Sequence, residues 1–241
     1  MNSDRKHSGM AAMIMKRELE SLFTSPIGYI VIALFLVITG FLFFPTFFIY
    51  SQAELRSFFQ ILPILFGFFV PAVTMRVFAE ERKSGTMETL LTMPVTSMDV
   101  VLGKFAASLA FIAVMLAPTL IYLLTIAMVG KPDLGPVIGG YIGALLLGGA
   151  YCSVGVFTSA LTKNQIVAFV TAFMICMLLS LIDQFLIILP VKILGFFEYI
   201  SAGYHFRTVA KGIIDSRDIL YFLSVSIIFI FASAKVIEER R

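Results

Sequence analysis

Residues 27–49, IGYIVIALFLVITGFLFFPTFFI, run without a charged side chain. About 20 such residues, rising ~1.5 Å each as a helix, cross the hydrocarbon core of a bilayer. Working outward from this run, five more apolar stretches of comparable length lie near 58–79, 103–129, 137–161, 165–189 and 218–236. The first run is not expected to be a cleaved signal peptide, since it is too long, follows a mixed-charge lead and is trailed by no small-residue cleavage site. Composition agrees with six spans. Hydrophobic residues make up 59% of the 241 positions and charged residues 14%, and mean hydropathy is +0.98. Soluble domains lie near 45–50% apolar and about 25% charged, so the expected fold is an all-α polytopic membrane protein.

Lys and Arg placement gives the orientation. Arg5, Lys6, Lys16 and Arg17 precede the first span; Arg76, Arg82, Lys83 and Lys104 flank the second connection; Lys163 follows the fourth span, and Lys235, Arg240 and Arg241 close the chain. About twelve positive charges on that side against about six on the other predict both termini in the cytoplasm. The exception is the last external loop, where Lys192, Arg207, Lys211 and Arg217 are largely balanced by Glu198, Asp215 and Asp218. A net charge of +3 carries no nucleic-acid signal; the basic residues read as topology markers. Cys152 and Cys176 sit within apolar runs and read as small buried hydrophobes, with no CxxC or Cys/His cluster for a metal. His7 and His205 are too far apart in topology to join a Ser/His/Asp set.

The expected organisation is a tail at 1–9 and a single transmembrane domain at 10–241. Within it, residues 10–25 are amphipathic and suit an interfacial helix, turned into the bilayer by Pro26 and Gly28. Residues 80–102 form a cytoplasmic loop, and residues 190–217 form an external loop with one or two short re-entrant helices. Tyr199, Tyr204, His205 and Arg207 would lie at headgroup level. Pro45, Pro63, Pro71 and Pro118 should kink their helices. Gly139, Gly140, Gly143, Gly148, Gly149, Ser153 and Gly155 mark the fourth span as one that packs inside the bundle or at a subunit interface. Asp183 and Gln184, late in the fifth span, are candidates for lining a water-filled path. A hydrated position at the outer headgroups is the equal alternative.

The most specific segment is the polar island at 80–104, EERKSGTMETLLTMPVTSMDVVLGK. Met87, Leu90 and Leu91 fall at helical spacing, Pro94 stops that helix, and Thr96 or Ser97 can cap the next. This island resembles the signature of ABC-2 family permeases of ATP-binding-cassette transporters. Glu80-Glu81, Gly85-Thr86, Glu88-Thr89-Leu90-Leu91, Pro94-Val95-Thr96 and Gly103-Lys104 occur in the family's order between the second and third spans. The interfacial helix, the span count and the external loop also fit, so the resemblance covers essentially the whole chain. Size and the segment at 201–223 are most similar to the gliding-motility-associated permease subfamily.

The resemblance implies a non-catalytic permease subunit that pairs with a second permease and with a separate ATP-binding-cassette ATPase subunit. Residues Glu80, Glu81, Gly85, Thr86, Met87, Leu90, Leu91 and Pro94 would make the coupling element, with Met87, Leu90 and Leu91 in a groove of the ATPase and Glu80 or Glu81 on a basic residue there. ATP and magnesium would be held by that partner, and this chain would bind no cofactor; it has no G-x-x-x-x-G-K-[ST] phosphate loop. Export across a bacterial cytoplasmic (inner) membrane follows from the same resemblance. Two other classes stand beside it. One is an envelope machine using ATPase-driven motion for mechanical work. The other is an ion-coupled secondary transporter, which would need more intramembrane charge than Asp183 and a repeat symmetry that the sequence lacks.

Overall fold

The computed structural model describes residues 2–50, 54–87, 96–130, 133–185, 191–213 and 215–239; within them, side chains are described except at 2–9, 46–50, 183, 185, 191–194 and 196. Among the described residues every regular element is a helix. Helix α1 spans Asn2–Thr24 and α2 spans Pro26–Tyr50. Helix α1 begins at Asn2, within the stretch assigned from sequence to a tail. Ser25 separates the two, its hydroxyl accepting from the Ile27 N–H, and Pro26 opens α2 where a missing N–H is harmless. Helix α3 covers Arg56–Thr74 and α4 covers Ala79–Ser84. The third span is α5 (Ser97–Leu116), a 3₁₀ turn at Ala117–Thr119 and α6 (Leu120–Val129). The break falls at Pro118, as its ring demands. Then follow α7 (Leu134–Leu161), α8 (Gln165–Phe185), α9 (Val191–Ile200), α10 (Ala202–Ala210) and α11 (Ser216–Glu238).

Six stretches are long and apolar enough to cross a membrane: Pro26–Pro45, Arg56–Ser84, Ser97–Val129, Leu134–Leu161, Gln165–Ile182 and Ser216–Glu238. They lie where the sequence places them. Helix α7 is the centre, with 72% of its span buried against 28% for α2, and α3, α5, α8, α10 and α11 all pack on it. Its glycines explain this. A Cβ at Gly140 would run into the Phe59 ring, one at Gly155 into the Thr74 hydroxyl, and one at Gly148 would crowd Ile112. Close backbone approach substitutes for a hydrophobic driving force that lipid does not supply. Phe35 of α2, Phe66 and Phe69 of α3 and Phe111 of α5 share one buried core with Leu147 and Tyr151 of α7. Val37 and Phe41 on α2, Leu178 on α8 and Phe231 on α11 point outward, as apolar side chains facing lipid do.

Between α3 and α4 the chain leaves the helix for residues 75–78. Unpaired backbone buried here would be expensive. Ser159 of α7 resolves it: its hydroxyl accepts from the Phe78 and Ala79 N–H groups and donates to the Met75 carbonyl, at 3.0, 3.0 and 2.9 Å. One side chain thus pins the turn that leads into the polar island.

Candidate functional site: the charged junction beneath the polar loop

Lys104 lies within α5 and its side chain is fully buried. A cation in such a place needs partners for all three ammonium protons. It has them: Glu18 Oε1 of α1 and Glu81 Oε1 of α4 each lie 2.9 Å from Nζ, and the Val77 carbonyl lies at 2.8 Å. The Phe78 ring sits 5.1 Å from Nζ, within cation–π range. Arg17 bridges the same two carboxylates from the surface, 3.2 Å from Glu18 and 3.5 Å from Glu81. Two cations and two carboxylates make a neutral cluster. It ties α1, the α3–α4 turn and α5 together at one point.

Gly103 makes the geometry reachable. A Cβ there would stand 2.8 Å from the Ala11 carbonyl oxygen and from Ile14 Cβ. Helix α1 therefore lies hard against α5 at Gly103, and the neighbouring Lys104 meets Glu18. A cavity of ≈ 500 Å³ opens beside the cluster, lined by Arg17, Glu18, Arg76, Glu80, Glu81 and Lys104 among others. At its rim Arg76 pairs with Glu80 at 3.3 Å, and Arg82 donates to the Ala160 carbonyl at the end of α7 at 2.7 Å.

The sequence-derived coupling residues divide here. Glu80 is largely exposed. Glu81 is turned inward to Lys104, with Oε2 buried and unpartnered, so its carboxylate faces the chain's own lysine. Gly85 ends α4 in the left-handed conformation, φ 77°, which favours glycine. Thr86 is exposed, its hydroxyl 2.9 Å from Ser84 Oγ. Met87 is buried in the apolar cluster that also holds Val77, Phe78, Val100 and Val101. Leu90, Leu91 and Pro94 lie outside the described residues. The loop closes on Thr96, which caps α5 in a reciprocal box: Asp99 N–H donates to Thr96 Oγ1 and Thr96 N–H to Asp99 Oδ2.

Glu18, Arg17 and Ser159 were not singled out by sequence reasoning. The available signal was Lys104 itself, a cation inside an apolar helix that demands a counter-ion. Asp183 and Gln184 lie on α8, away from this junction; Gln184 is exposed. Among the described residues no three His, Cys, Asp or Glu side chains are placed to hold a metal. Ion pairs lock three helices together at this junction.

At the far end of the bundle α9 and α10 form the two short helices of the 190–217 segment. His205 Nδ1 lies 2.6 Å from Asp218 Oδ1, and its ring stacks on Tyr221 at 4.2 Å between centroids. Both members of the pair are buried. This clamp joins α10 to α11.

A family profile described as "ABC-2 family transporter protein" matches residues 10–235. No curated protein matches the chain.

Proposed function

The chain belongs to the ABC-2 family of transporter proteins, and from that premise we propose that residues 80–102 couple it to a separate ATP-binding-cassette ATPase. Membership makes it a multi-pass membrane permease component of such a transporter, a class that in general works with an ATPase partner. Our narrower reading is an exporter in a bacterial cytoplasmic membrane, with both termini in the cytoplasm, working beside a second permease subunit. The size and the 201–223 segment support placing it near the gliding-motility permeases.

The observation that carries the coupling reading is the Lys104 cluster. Helix α4 leads directly into the polar loop, and Glu81 on α4 shares Lys104 with Glu18 on α1. A force applied to the loop therefore reaches α4, α1 and α5 as one body. Glu80, exposed at the rim, is the carboxylate placed to meet a basic residue of the ATPase, whereas Glu81 and Met87 stabilise the base of the loop. Leu90 and Leu91 remain the apolar contacts by sequence. The test is co-purification of the ATPase with the wild-type chain and with Leu90→Asp, using Lys163→Gln, at an exposed position on a different loop, as control. Loss of the ATPase from Leu90→Asp alone supports the reading. Equal recovery with all three chains refutes it.

A further inference from the structure

His205 of α10 is buried, and both of its ring nitrogens face oxygen. Nδ1 lies 2.6 Å from Asp218 Oδ1 on α11, and Nε2 lies 3.3 Å from the Tyr199 backbone carbonyl on α9. A carbonyl oxygen can only accept, so Nε2 carries a proton. The contact to Asp218 needs a second proton between nitrogen and oxygen, whichever atom holds it. A neutral imidazole has one N–H and an ionised carboxylate has none. The pair therefore holds one proton more than a neutral histidine beside an ionised aspartate, and it is uncharged as a unit.

The surroundings agree with an uncharged pair. Asp218 Oδ2 is buried without a hydrogen-bond partner, a place where uncompensated negative charge is expensive. The Tyr221 ring stacks on His205, and its hydroxyl donates to the Ile200 carbonyl. The end of α9 is thus held through two adjacent carbonyls, and His205 is one of the two donors. A cavity of ≈ 290 Å³ opens beside the pair, its wall completed by Glu198, Tyr199, Tyr204, Thr208, Asp215 and Arg217. Tyr199, Tyr204 and Arg217 are exposed, so the cavity gives the pair's proton a way to water. Helix α10 also packs on α3, α7 and α8, and among the described residues no charged side chain of these helices lines the cavity. Glu198, Asp215 and Arg217 are the charges that face the pair.

We propose that His205 and Asp218 form a pH-sensitive latch, which holds α9 while the pair keeps its shared proton and releases α9 when that proton is lost to water in the cavity. One N–H then remains for two acceptors. It stays at the shorter, charge-assisted contact to Asp218, and Nε2 turns a lone pair toward the Tyr199 carbonyl. Two acceptors repel, and the tie to α9 opens while α10 and α11 remain joined. The latch therefore contributes at lower pH and is lost as pH rises. It is independent of ATPase coupling; only its placement on the external face rests on the orientation proposed above.

The test uses the full chain in neutral detergent. It reads amide hydrogen exchange across α9, corrected for the intrinsic rate at each pH, from about pH 5 to about pH 8, where imidazole ordinarily changes charge. In wild type, protection of α9 should fall about tenfold or more as pH rises, the size expected for one lost charge-assisted hydrogen bond, while α7 stays protected. Asp218→Asn puts a fixed amide donor on Nδ1 and leaves Nε2–H on Tyr199, so its α9 should stay protected throughout. If that variant is not monodisperse, ring ¹⁵N spectra take its place. His7→Asn leaves His205 as the sole histidine, and its ring signals should shift over the pH interval in which α9 loosens. A wild-type α9 indifferent to pH, an equal pH response in Asp218→Asn, or ring signals that stay constant while α9 loosens each overturns the latch. Because no ATPase is present, this outcome is separate from failure of the coupling reading.

Discussion

Replacing Lys104 with methionine keeps the stem of the side chain and removes its charge. Glu18 Oε1 and Glu81 Oε1, both held 2.9 Å from the ammonium in wild type, would then face one another across an apolar thioether, and the Val77 carbonyl would lose its 2.8 Å donor. Breaking a buried pair by removing one partner costs about 3–5 kcal/mol. The carboxylates retain 20% and 19% of their side-chain exposure, and Arg17 stays within reach of both, so the lower end, ~3 kcal/mol, applies. At ~2–4 °C per kcal/mol for a chain of this size, the unfolding midpoint should fall by roughly 6–12 °C. Removing a carboxylate as well should give part of this back, because a neutral, packed replacement avoids the stranded charge. Lys104→Met/Glu81→Gln should therefore be more stable than Lys104→Met. Thermal unfolding of the detergent-solubilised chain, followed by loss of monodisperse protein, measures both. A Lys104→Met midpoint equal to wild type, or a double variant less stable than the single, would refute the role assigned to the cluster.

Ser159→Ala leaves two buried N–H groups and one carbonyl at the α3–α4 turn without their partner; a loss of about 2–4 kcal/mol is expected, read by thermal unfolding and by faster hydrogen exchange at Phe78 and Ala79. Gly103→Val should push α1 off α5, since even the first added carbon meets Ala11 and Ile14 at 2.8 Å. Protease cleavage in residues 10–24 should accelerate while the rest of the bundle stays protected. His205→Ala removes both the Asp218 contact and the stack on Tyr221, and should destabilise α10 locally by about 1–3 kcal/mol, the cost of a buried polar group left without its partner. His205→Ala/Asp218→Ala should lose less than the sum of the two single changes, as measured by hydrogen exchange across α10 and the start of α11.

The spans were legible because each is a long apolar run, and the central place of α7 was legible because glycine spacing is local information. Thr96 was readable as a cap from its position before an apolar helix. The junction was not readable in the same way. Lys104 meets Glu18 and Glu81 across 86 and 23 residues of sequence, and no periodicity encodes such pairings. For that reason Lys104 reads from sequence as a topology charge, and Glu80 or Glu81 as the carboxylate facing a partner. Met87 fits the spacing of an amphipathic helix, and its burial in one cluster with Val100 and Val101 depends on residues more than ten positions away, which spacing does not encode. Ser159 carried no signal of its own, because its value lies in a helix break elsewhere in the chain.

The central claim is that the loop after α4 touches an ATPase, and a photo-crosslinking amino acid at position 90 tests it most directly. In cells expressing the chain at native level, irradiation should join position 90 to a protein that carries a G-x-x-x-x-G-K-[ST] loop, identifiable by mass spectrometry, while the same probe at position 211 should not. Adducts from position 90 that lack such a protein, or that contain it equally from position 211, would contradict the account.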